Sequence, residues 1–82
     1  MPEITADAFV ERISPQEIAS LAELYDRFAN ALDPFSEERD NAERVFMSEL
    51  AGYYDRIQHL SINYRDFKRA IILRCKRHLQ KN

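Results

Sequence analysis

The sequence predicts an all-α fold, an up-down-up three-helix bundle preceded by a short N-terminal helix. Three observations lead there. Strand-like alternation is absent, the apolar residues recur at helical spacing, and the 82 residues contain one glycine and three prolines. The composition, 45% hydrophobic and 32% charged, is that of a folded chain. At this length there is room for one domain over 1–82, with a minimal core worth on the order of 3–5 kcal/mol, so self-association is a natural supplement.

Helix starts are written in the sequence as caps. Thr5 precedes a short helix over about 5–12, with Ile4 and Phe9 placed to pack across its first turn. Ser14-Pro15-Gln16-Glu17 opens a second helix over about 15–32: Ser14 can accept the Glu17 amide, Pro15 sits where no amide bond is lost, and Ile13 can pack on Ile18. Ile18, Leu21, Ala22, Tyr25, Phe28, Ala29 and Leu32 form its apolar stripe, widened by Leu24 and Ala31 to roughly half the circumference. That is more than one neighbour covers, and the short N-terminal helix, a second chain, or both are expected to cover it. Asp33-Pro34 should end it, because proline disfavours helical geometry in the residue before it.

The third helix begins after Ser36, where Glu37, Glu38 and Asp40 meet the positive end of the helix dipole, and the apolar face from Ala42 through Phe46, Leu50, Tyr53 and Ile57 carries it over about 37–60. Gly52 lies on its polar face, where it costs about 1 kcal/mol relative to alanine without requiring a break. The last helix, over about 64–80, starts at Asn63 with Asp66 three residues on and with Ile62 able to pack on Phe67. Its buried side is expected at Tyr64, Phe67, Ile71, Cys75, His78 and Leu79. Short connections at Asp33-Pro34-Phe35 and Ser61-Ile62 favour antiparallel neighbours.

Charge is divided along the chain. Residues 1–60 carry thirteen acids against five lysines and arginines, whereas residues 61–82 carry seven basic residues against the single acid Asp66. The last helix must therefore either close onto the acidic body or offer a basic face to an anionic partner. Arg65, Arg69 and Lys76 share one row, with Arg77 and Lys81 farther round, and these five are the candidate contacts to a partner or to nucleic acid. Lysine and arginine at 76, 77 and 81 also complement the negative end of the helix dipole, which is a purely structural reason for them. Val45 and Leu73 fall on polar faces and are the candidate interface residues.

Chemistry-bearing patterns are sparse. Cys75 and His78 share a helical face but supply only half of a four-ligand zinc set, and Asp55 with His59 reads as an exposed helical pair. Glu23 with Arg27 and Asp40 with Arg44 have the spacing of surface ion pairs. No glycine-rich phosphate loop or nucleophile elbow occurs, so neither catalysis nor a cofactor or metal is expected. The four tyrosines lie on or beside apolar stripes, with Tyr64 distinguished by adjoining Arg65 and Lys68.

One cysteine and no export signal or membrane-length apolar run suggest the cytoplasm and no membrane association. The expected function is that of a small helical protein-interaction module without catalytic activity, with another protein or a second copy as partner. A nucleic-acid-binding regulator using the basic last helix is the second reading. The acid-rich remainder, which repels phosphates, ranks it lower.

Overall fold

The computed structural model describes residues 4–80. Four helices follow one another as α1 (Ala6–Glu11), α2 (Pro15–Ala29), α3 (Glu37–Arg56) and α4 (Tyr64–Gln80), with no strand among the described residues. The all-α class is as expected, and so are all four starts. Thr5 Oγ1 accepts the Ala8 amide at 3.1 Å, Ser14 Oγ that of Glu17 at 3.3 Å, Ser36 Oγ that of Arg39 at 3.1 Å and Asn63 Oδ1 that of Asp66 at 3.2 Å. Each short polar side chain satisfies one of the amides that a helix start leaves without a partner.

Helix ends depart from the expected ones. α2 stops at Ala29 and not near residue 32, because Asn30 leaves helical geometry, its side chain donating to Asp26 Oδ1 at 2.7 Å and its amide to the Asp26 carbonyl. Beyond that point Leu32 is fully exposed, so no packing compensates for ordering another turn. α3 stops at Arg56 and not at 60, since Ile57 turns into the core and the chain reverses through short-range bonds, Ile57 N–H to Tyr54 O and Leu60 N–H to Ile57 O. α3 is unbroken at Gly52.

α2 is the shared neighbour. It packs on α3 along one side and on α4 along another, while α1 lies on α4 and not over the wide apolar sector of α2. Within the chain α3 and α4 bury its first half at Ile18, Leu21 and Ala22, leave Leu24, Tyr25 and Phe28 half-buried, and leave Ala29 and Leu32 exposed. α2 and α3 run antiparallel, with the Glu17 carboxylate against the Tyr53 phenol at one end and Tyr25 and Phe28 around Phe46 toward the other, ring centroids 5.9 and 5.3 Å away. α3 and α4 meet chiefly through Tyr54, whose ring packs edge-on against Tyr64 at 5.1 Å and whose hydroxyl donates to the Ile62 carbonyl at 2.9 Å.

The core draws on every helix: Val10 from α1, Ile18, Leu21 and Ala22 from α2, Phe46 and Leu50 from α3, and Phe67, Ile71 and Cys75 from α4. No polar or charged residue is buried among those described. α1 has only six residues and cannot persist undocked. Burying a valine such as Val10 contributes about 1.5–3 kcal/mol, whereas ion pairs exposed like those of Glu11 contribute about 0.2–1 kcal/mol, so apolar docking holds α1 and the ion pairs orient it.

A Cβ added at Gly52 meets nothing within 4 Å, and its backbone is ordinary helix. Gly52→Ala is therefore expected to raise stability by about 0.5–1 kcal/mol, read as a higher urea midpoint with an unchanged slope. A lower midpoint would mean that something packs against this position.

Candidate interaction face

α4 has two faces of different chemistry. Inward, Phe67, Ala70, Ile71 and Cys75 are buried at the 3, 1, 4 spacing of a single helical side. Along its other side Arg65, Lys68, Arg69, Leu73 and Lys76, with Tyr64 and Ile72 partly packed against the core, line one shallow, open groove that α4 alone forms. Its floor is apolar, with Ile72 half-buried and Leu73 49% exposed, and its rim is cationic.

The division of charge is resolved within the chain only in part. Arg77 donates to Glu11 Oε1, and Arg74 Nε lies 3.9 Å from Glu11 Oε2, so these two cations orient α1 on α4. Arg74 is the more sequestered, with its side chain 17% exposed and its Nε without a hydrogen-bond partner. Arg65, Lys68, Arg69 and Lys76 make no ion pair among the described residues. The intrachain explanation thus accounts for Arg74 and Arg77 and leaves the other four without an ion pair around Ile72 and Leu73, Lys68 half-buried and Arg65, Arg69 and Lys76 exposed.

Of the positions singled out in the sequence, Arg65, Arg69, Lys76 and Leu73 come together on this face. Arg77 is exposed but turned toward α1 by Glu11, and Lys81 lies outside the described residues. Val45 is exposed on α3, as expected, but does not line the groove. Lys68 and Ile72 complete the face and follow from the same helical period. Two exposed residues escaped sequence reasoning, Leu32 and Phe35, the latter 90% exposed. A signal existed for Phe35: it precedes the Ser36 cap as Ile13 and Ile62 precede theirs, but four positions past the cap stands Asp40 instead of an apolar residue, so Phe35 has nothing to pack on.

The remaining chemical candidates disperse. Arg39, not Arg44, takes up Asp40 at 3.2 Å and also Glu43 at 3.1 Å, while the Glu23–Arg27 pair forms at 2.7 Å. Asp55 accepts from Gln58 at 3.1 Å, and His59 lies past the end of α3, so the expected helical Asp55–His59 pair does not form. Burial pushes the Tyr53 phenol above its usual value, with the Glu17 carboxylate adding to the effect. No three His, Cys, Asp or Glu side chains gather as a metal site among the described residues. Nor, among those residues, is any helix long and apolar enough to cross a membrane. Comparison with family models, curated proteins and solved structures gives no match to this chain.

Burial pushes the Cys75 thiol up from an ordinary 9.0 to about 11. The advantage of the folded state is fully present below pH 9.0 and is lost as pH rises through the interval to about 11, where the unfolded chain ionises first. Stability is expected to fall across that interval, with a shallower slope in Cys75→Ala, and a thiol-specific reagent should label Cys75 only in step with unfolding. Rapid labelling of native protein would contradict this burial.

Proposed function

We propose that the protein is a non-catalytic interaction module that binds an acidic, amphipathic protein segment, from another protein or from a second copy of this chain, through the outer face of α4. The observation that carries this reading is the set of four cations, Arg65, Lys68, Arg69 and Lys76, which make no ion pair among the described residues and border Ile72 and Leu73. Cations at the rim steer an anionic partner into register, while an apolar strip between them supplies affinity that salt does not screen. Phosphate recognition would use the cations but leave Leu73 without a role. The aromatic best placed to stack on a base, Tyr64, has its ring packed edge-on against Tyr54. The cytoplasm is the proposed setting, in keeping with a lone cysteine that is unbridged and buried.

The test is capture from the host's lysate by tagged protein, with and without nuclease, comparing the wild-type chain with Arg69→Glu/Lys76→Glu. A stoichiometric protein that survives nuclease, is retained by the wild type and is lost by the variant at unchanged helical content is the expected result. Leu73→Glu should lose the same partner. Material released by nuclease would transfer the face to nucleic acid, and a partner held equally by wild type and variant would remove the face from the account.

A further inference from the structure

Two surfaces that folding leaves unsatisfied are complementary to each other. One is the basic, apolar-floored face of α4. The other is the connection between α2 and α3, where Leu32 and Phe35 stand 103% and 90% exposed and carry no packing role in the core. Asp33 lies between them, and Glu37 and Glu38 follow at once, so the segment reads apolar and acidic where the α4 face reads apolar and basic. Arg39, the nearest following cation, is engaged by Asp40 and Glu43 and does not neutralise Glu37 or Glu38.

The connection is also held in one shape. Asp33 Oδ1 accepts the Phe35 amide at 3.0 Å, the Asp33 carbonyl accepts that of Ser36 at 3.3 Å, and Pro34 fixes the backbone angle between them. An exposed aromatic on a pre-ordered turn loses little conformational entropy on docking, which is what an anchor residue requires. Within one chain the two surfaces do not meet, since none of residues 32–38 lines the α4 groove.

We propose that residues 32–38 of one copy dock on the outer face of α4 of a second copy, Phe35 and Leu32 against Ile72 and Leu73, the acids toward Lys68, Arg69 and Lys76. The inference rests on the proposed α4 face and names an occupant for it. Every copy carries one of each surface, and a two-fold axis that repeats the contact closes a dimer. An α4-to-α4 pairing would oppose cation to cation and is disfavoured.

The experiment is sedimentation equilibrium of the full chain from micromolar to millimolar concentration. The wild type should associate, and Phe35→Ser and, separately, Lys68→Glu/Arg69→Glu should each weaken association by about tenfold or more while leaving the helical signal intact, all three positions lying outside the buried core. Mixing the two variants should restore a complex, because one retains a working groove and the other a working loop. Wild-type protein that stays monomeric throughout, a Phe35→Ser variant that associates like the wild type, or a mixture that stays monomeric would each overturn the inference. None of these outcomes touches the α4 reading as long as nuclease-resistant capture is lost in Arg69→Glu/Lys76→Glu, so the two fail separately.

Discussion

The structure depends on α2 meeting two neighbours at once. Ile18, Leu21 and Ala22, none more than 2% exposed, face a core shared with Phe46 and Leu50 on α3 and with Phe67 and Ile71 on α4. α3 and α4 touch each other little, so each is held in place chiefly through α2 and keeps a side open to solvent. A bundle in which the three long helices packed mutually would close more of that surface. The Ser14 cap and Pro15 fix where α2 begins, and the buried side chains of α2 set how α3 and α4 pack on it.

Charge follows from this arrangement. Among the described residues the cations of α4 find Glu11 on α1 as their ion-pair partner, and only Arg74 and Arg77 reach it. Glu11 lies 66 residues from Arg77 in sequence, so the pair orients α1 across the helix that follows it last in the chain. The row at 65, 68, 69 and 76 projects away, interleaved with Ile72 and Leu73. A folded chain can carry exposed cations for solubility alone, but cations bordering an apolar strip on an ordered helix also have the geometry of a docking surface.

Local chemistry made much of the fold legible in the sequence. The caps at Thr5, Ser14, Ser36 and Asn63 act within one helical turn, and short-range geometry determines them wholly. The outer row Arg65, Arg69, Lys76 with Leu73 was legible for the same reason, because helical period alone places those residues together. Helix ends were not. Whether Leu32 stays helical or Ile57 turns inward depends on what lies beside them in three dimensions, and the Asp55–His59 pairing failed with the end of α3. Arg77 looks free in the sequence because its partner Glu11 is 66 residues away, and nothing local reveals the pair. Phe35 is exposed because Asp40 stands in the place where the other three caps put an apolar residue, a signal that lies in the sequence but is easily hidden by the short connection around it.

The central claim is that α4 keeps one face in the core and presents the other, with its arginines unpaired, to a partner. Arginine-specific chemical modification of dilute native protein, read by peptide mass mapping, tests it most directly. The account predicts that Arg65 and Arg69 react quickly while Arg74, largely sequestered beside Glu11, reacts only as the protein unfolds. Protection of Arg65 and Arg69 equal to that of Arg74 would show that the chain covers this face itself, and would contradict the claim.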